Sequence, residues 1–406
     1  MTTMTAGRDS HPANSRPRNT HTGDPDPMGG GRPTALAPHR LARLGLLTAL
    51  ERPGQLFEQI TPNWFASVMG TGIVANAAAT LPVQPPGLRT FATGVWVMAA
   101  AALVLLGAAF AVHWTCHRQT ARAHAAHPVM SQFYGAPAMA MLTVGAGALL
   151  LGTDLIGLPA AVAVDAVLWT AGTLTGLATS VWLPYRMITA HDHDSATALP
   201  AWLMPIVPPM VSASTGALLM AHVPAGQVRL TLLLGCYAMF GLSLVIGLIT
   251  ITLIYSRLVH GGMPAVQAAP TVWITLGMIG QSITAANLLG GQAASAIAAP
   301  YATGLHVFGL VYGICMGGFG ALFFTLAALL TVHASRRGLA FSLTWWSFTF
   351  PVGTCVTGAT ALGTTASSPV IHAVAVALYL VLLGAWATVA VHTLRRSATG
   401  HIFVAA

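Results

Sequence analysis

Residues 200–216 read PAWLMPIVPPMVSASTG, and they decide the fold class. Four prolines and a tryptophan precede a run of small and hydroxylated residues, all inside an apolar stretch, 200–221, without a charged side chain. That length matches the roughly 20 residues needed to cross the hydrocarbon core of a bilayer as a helix. Proline in a helix interior removes a hydrogen bond and clashes with the preceding turn, at about 3 kcal/mol in soluble helices. In lipid such a break survives only where something else satisfies the freed carbonyls. A water-filled lumen would do so, and the stretch reads as a bent helix facing water.

Working outward, nine more apolar segments appear, at 62–81, 91–115, 135–152, 159–183, 230–256, 271–290, 300–332, 342–364 and 370–394. Interior prolines fall in the third, fifth and ninth segments and in none of the even-numbered ones; Pro137, Pro205, Pro208 and Pro351 are the expected kinks. None of the ten contains Lys or Arg, and Asp165 is their single acid. With 406 residues, 55% hydrophobic and 6% charged, and a mean hydropathy of +0.71, the chain cannot cover a soluble surface. The expected fold is an all-α membrane protein of ten transmembrane helices arranged as five hairpins.

Charge placement orients it. All seventeen basic residues are Arg; seven precede the first segment, and Arg118, Arg122, Arg186, Arg257, Arg336, Arg337, Arg395 and Arg396 follow even segments. Only Arg89 and Arg229 fall on the opposite side. The positive-inside rule then puts both termini in the cytoplasm and makes every odd segment run outward through the cytoplasmic membrane. The net charge of +8 reflects membrane orientation, and nucleic acid is not an expected partner. Residues 1–54 read as a disordered tail carrying a short interfacial helix near 36–50, without a cleaved signal peptide. The transport domain is expected at 55–396, with a C-terminal tail at 397–406.

Each odd segment opens on an aromatic or proline cluster and continues into small residues, a weak fivefold internal similarity. Phe65, Gly70, Thr71, Gly72, Thr143, Ser212, Thr215, Gln281 and Thr354 are the candidates to line a lumen. Asn76, Ser214, Ser282, Thr284, Asn287 and Thr357 are further hydroxyl or amide donors. Ser and Thr in membrane helices also bond back to their own carbonyls, so each taken singly has a plainer explanation. In the even segments, Gly172, Gly176, Gly309, Gly313 and Gly317 suit close packing in an outer ring.

Other polar groups point to no second chemistry. Cys116, Cys236, Cys315 and Cys355 lack zinc-site or disulfide spacing. His113 and His117, and the HDHD run at 191–194, could hold a metal adventitiously, but no functional metal and no cofactor are expected. Asp165, on an even segment, is expected to be paired or to snorkel. His306 and His372 are ionisable groups in even segments, which argues against their lining a pore directly. A haem-bearing redox subunit is the rival from another class, and it would need paired mid-membrane histidines.

The runs PNWFASVMGTGIV at 62–74, FYGAPAMAMLTVGAG at 133–147 and WWSFTFPVG at 345–353 resemble the tellurite-resistance/dicarboxylate transporter family of the slow anion channel superfamily. The first two are most similar to its malate-permease and sulfite-exporter branch. The resemblance implies five hairpins around a pseudo-fivefold pore, one pore per subunit, and a homotrimer in the bilayer. It implies Phe350 as the gate, with Phe348 the register alternative. The implied activity is channel-like transport of small inorganic or organic anions, either sulfite efflux or C4-dicarboxylate transport such as malate, without enzymatic turnover. A tellurite-resistance or chloride/nitrate-type channel is the alternative. Because two-carboxylate recognition favours a bidentate Arg, the Arg-free segments weigh against a tight dicarboxylate site.

Overall fold

The computed structural model describes residues 55–190 and 198–400, which are helical with no strand among them. The interfacial helix expected near 36–50 and the HDHD run lie outside the described residues. Among the described residues, ten helices of twelve residues or more carry the fold. They are α1 (Phe65–Thr80), α2 (Leu88–Cys116), α3 (Gly135–Gly147), α4 (Leu158–Ala190), α5 (Pro208–Leu219), α6 (Gln227–Gly261), α7 (Ile274–Gln292), α8 (Tyr301–Ser335), α9 (Phe350–Thr365) and α10 (Pro369–Thr399). A nine-residue helix, Arg118–Ala126, follows α2.

Length divides them into two sets. The even helices run 29 to 35 residues, whereas the odd ones run 12 to 19. Each odd helix is preceded by a 3-10 segment: Pro62–Trp64, Met130–Tyr134, Pro200–Leu203, Val266–Trp273 and Leu343–Phe348. The aromatic and proline clusters of the odd segments therefore form tight turns leading into a helix, not the middle of one. Seven helical stretches among the described residues are long and apolar enough to cross a membrane. The stretches built on α1, α5 and α9 are not among them. At 1.5 Å per residue, 12 to 16 residues reach about 18 to 24 Å, short of a hydrocarbon core of about 30 Å.

This revises the picture of proline kinks. Pro208 and Pro351 sit in the first turns of α5 and α9, Pro137 is the third residue of α3, and Pro205 lies in the turn before α5. At a first helical turn the N–H has no intrahelical partner to lose, and the fixed φ of proline suits the start. Pro208 and Pro351 thus begin short helices instead of bending long ones, whereas Pro137 stands inside the continuous helical stretch Met130–Ile156. The even helices are not free of interior proline either, since α4 continues through Pro184, one residue beyond the apolar run read from the sequence.

The short helices form a closed ring: α1 packs on α3, α3 on α5, α5 on α7, α7 on α9, and α9 returns to α1. Each even helix packs on the odd helix before it and also touches the next one. In the Val266–Ser295 stretch that contains α7, 94% of the most apolar window is buried, against 17% for α8, which sets one inside and the other on the lipid side. The inner seams are tight. A Cβ on Gly280 would lie 2.5 Å from backbone atoms of Thr354 and Cys355, and one on Gly358 would lie 2.7 Å from the Gly280 carbonyl oxygen. The α7–α9 crossing therefore requires glycine on both faces. Gly172 and Gly309 of the even helices likewise seat against Leu142 and against the backbone of Ala286.

Candidate functional site

Two cavities lie inside the ring, and each is walled by all five short helices or the residues leading into them. The larger, about 590 Å³, lies toward the C-terminal ends of the short helices. Asn76 and Thr80 of α1, Ala146 of α3, Ser214 and Thr215 of α5, Gln281, Thr284 and Asn287 of α7, and Thr357, Thr360 and Thr364 of α9 line it. Leu150, on the π-helical turn that continues α3, completes the wall. The smaller cavity, about 20 Å³, lies toward the N-terminal ends. It has room for about one water molecule, and Met69, Phe133, Met139, Met204, Ile274 and Phe350 form an apolar wall with Ser347 as its hydroxyl. That the two cavities take opposite ends of every short helix means that all five run in the same direction.

Of the residues singled out from the sequence, Asn76, Ser214, Thr215, Gln281, Thr284, Asn287 and Thr357 line the large cavity, and Phe350 and Pro351 the small one. Phe350 is 2% exposed. Phe348 instead packs edge-on against Trp273, with ring centroids 5.7 Å apart. The remaining candidates face neighbouring helices. Phe65 packs edge-on against Phe110 of α2. Gly70 seats against Thr349 and Trp346, and Gly72 against Thr143. Thr71 accepts a hydrogen bond from Trp386 Nε1 of α10 at 3.2 Å. Ser212 accepts from Thr173 Oγ1 of α4 at 2.9 Å, and Thr354 Oγ1 donates to Pro351 O at 2.7 Å.

Most lining hydroxyls are not free donors, Thr360 Oγ1 being buried without a partner. Thr215 Oγ1 donates to Val211 O at 2.9 Å, Thr284 to Gly280 O at 3.0 Å, Thr357 to Thr354 O at 3.1 Å and Thr364 to Thr360 O at 2.9 Å. A hydroxyl that returns its proton to its own helix leaves the wall wettable but grips an anion weakly. The amides are engaged as well. Asn76 Nδ2 donates to Thr143 O at 2.9 Å, Asn287 Nδ2 to Ile283 O at 2.9 Å, and Gln281 Nε2 to Ser214 Oγ. The corresponding amide oxygens are buried without partners.

Two ionisable groups, His306 and Asp165, depart from expectation, while His372 stays off the wall as its even helix implies. His306 lines the large cavity although it stands on the even helix α8, because α8 lies so close to α7 that a Cβ on Gly290 would come within 2.7 Å of the Leu305 carbonyl oxygen. His372 of α10 approaches the lining residue Thr364, Nε2 to Oγ1 3.5 Å. Asp165 neither snorkels nor pairs: it is fully buried behind α3, and both carboxyl oxygens lack partners. At the far end of the molecule His113 engages Phe57 O and His124. Burial and then the neighbouring His113 and His127 hold the His124 imidazole below its ordinary value. No group of three or more potential metal ligands occurs among the described residues.

The SLAC1 voltage-dependent anion channel family matches residues 59–394. The chain belongs to this family. Its members are channels and transporters, and the chain is accordingly a multi-pass membrane protein built for anion transport. An uncharacterized transporter of Methanocaldococcus jannaschii is 27% identical over 361 residues, spanning 88% of this chain and 99% of the relative. A sulfite efflux pump of Arthroderma otae is 27% identical over 350 residues, 84% of this chain and 92% of the pump. The sulfite efflux pump of Trichophyton rubrum is 27% identical over 351 residues, with the same coverage.

The sequence did not point to the methionines of the small cavity, Met69, Met139 and Met204. They look like ordinary core residues, and only the shared depth of the five helix starts gathers them.

Proposed function

We propose that the chain passes small oxyanions, sulfite foremost, along the axis of the ring of short helices, with the large cavity as an outer vestibule and Phe350 as the gate at its inner end. In this reading all ten helices cross the bilayer with both termini in the cytoplasm, the path has pseudo-fivefold symmetry, and three copies assemble with one path each. The observation that carries it is the pair of cavities, one of about 590 Å³ rich in hydroxyl and amide residues and one of about 20 Å³ and apolar, that lie toward opposite ends of the same five short helices. A constriction that narrow and apolar disfavours wetting, so movement of the Phe350 ring controls conduction.

Anion selection has a physical basis. Five α-helices begin at the depth of the constriction, and their N-terminal, positive ends converge there. Neither an acid nor Lys or Arg is among the residues lining either cavity. The relatives named as sulfite efflux pumps match over nearly their whole length, and a wall without Arg suits sulfite better than a dicarboxylate held at both ends. An inside-negative membrane potential drives such an anion outward.

Flux from liposomes loaded in parallel with sulfite, malate, nitrate and chloride tests this. Sulfite is expected to leave several-fold faster than malate. Malate leaving fastest would reverse the substrate assignment, and no protein-dependent flux of any anion would remove the function.

A further inference from the structure

We propose that His306 is the anion-capture residue at the wide end of the vestibule, holding an oxyanion such as sulfite by its imidazole N–H and, when protonated, by its charge. The inference rests on the reading that anions pass this cavity. It names the side chain that sets how tightly the vestibule holds one.

The argument runs by what the wall has left to offer. An anion shedding water needs hydrogen-bond donors or positive charge. Neither Lys nor Arg stands among the lining residues. Most hydroxyl protons are turned away: Thr215, Thr284, Thr357 and Thr364 return theirs to carbonyls of their own helices, and Thr360 Oγ1 is the buried exception without a partner. Asn76, Gln281 and Asn287 have each committed one N–H to a protein acceptor, whereas the Gln292 amide, at the same end as His306, makes no side-chain hydrogen bond among the described residues and can assist it. His306 is the one lining side chain that can carry positive charge. It is exposed and makes no hydrogen bond or ion pair recorded among the described residues, so its ring is available to a ligand.

Its position fits capture better than passage. His306 lies in the second turn of α8, level with Gln292 at the end of α7 and Thr364 near the end of α9, both on the same wall. A second imidazole, His372, stands behind Thr364, its approach made possible by Gly363, whose Cβ would lie 2.3 Å from the His372 ring. Both imidazoles thus sit at the wide end, and none lines the apolar constriction. An anion held there, one vestibule length from the Phe350 gate, is concentrated without being trapped at the narrow point. A site that must release its ligand benefits from such separation.

Single-channel conductance in planar bilayers, recorded on a Phe350→Ala background so that the path is open, tests the proposal. Sulfite is titrated into one bath at a time. For one of the two baths, His306→Gln, which keeps an N–H donor but cannot carry charge, is expected to raise the half-saturating sulfite concentration several-fold to about tenfold, the difference between a charge-assisted and a neutral hydrogen bond. His306→Arg is expected to keep it at or below the starting value. Identical half-saturation in all three proteins from both baths would overturn the proposal, and so would Gln and Arg raising it equally, because then only the ring's shape matters. If the starting protein carries no sulfite current, the anion-transport reading fails first, an outcome distinct from either of these. His306 is exposed, and monodispersity on size exclusion checks that the variants fold.

Discussion

At the scale of single residues, the structure separates side chains that shape the ring from those that face its interior. Gly280 belongs to the first kind: its missing Cβ lets the α7 backbone meet that of α9 around Thr354 and Cys355. Neither backbone can yield, so Gly280→Ala is expected to cost about 1 to 3 kcal/mol, as overpacking does. The change should lower the melting temperature in detergent, while Gly94→Ala, where nothing lies within 4 Å of a Cβ, leaves it unchanged or raises it. Equal melting temperatures for both variants would contradict the packing assigned to the α7–α9 seam. Legibility was uneven at this scale. Phe350, which lines the small cavity, is reached through a motif, and Asn76, Ser214, Thr215, Gln281, Thr284, Asn287 and Thr357 of the large one stand out as polar residues in apolar segments. The other hydroxyl candidates could not be sorted, because a threonine that bonds back to its helix and one that faces water have the same sequence context. His306 was misjudged for a related reason, since helix parity says nothing of how closely α8 approaches α7.

At the scale of elements, the alternation between odd and even segments was legible, but its physical form was not. Proline, aromatic and small residues in an apolar run are compatible with a kinked long helix or with a 3-10 turn followed by a short one. The choice depends on which residue starts the α-helix, the least certain feature of any sequence reading. In the fold the second form occurs five times. The two forms differ in energy. Pro208→Ala at a helix start should change stability by less than about 1 kcal/mol, whereas releasing a true interior kink would alter it by about 3 kcal/mol. The alanine also retains the Cβ that approaches Gly176 of α4. Thermal unfolding in detergent distinguishes the cases: a small shift supports the helix start, and a large gain in stability would indicate a strained kink.

At the scale of the whole molecule, ring closure sets five short helices around a shared interior. Composition made the membrane class legible, because it depends on summed hydropathy and not on packing detail, while arginine placement supports the proposed orientation of the hairpins. Closure was not legible from the residues, since it depends on contacts such as α9 with α1, nearly the full length of the chain apart. With the ring closed, an apolar cavity beside Phe350 and a larger one lined by neither Lys, Arg nor an acid lie inside it, and the proposed account makes the first the constriction and the second the vestibule of one anion path. The measurement that tests this most directly is the sulfite current of Phe350→Ala against the unmodified protein, at matched protein density in a planar bilayer under a sulfite gradient. The account predicts a current at least several-fold larger in the variant, reversing near the equilibrium potential of the anion. An unchanged current, or a reversal that follows the cation, would contradict it.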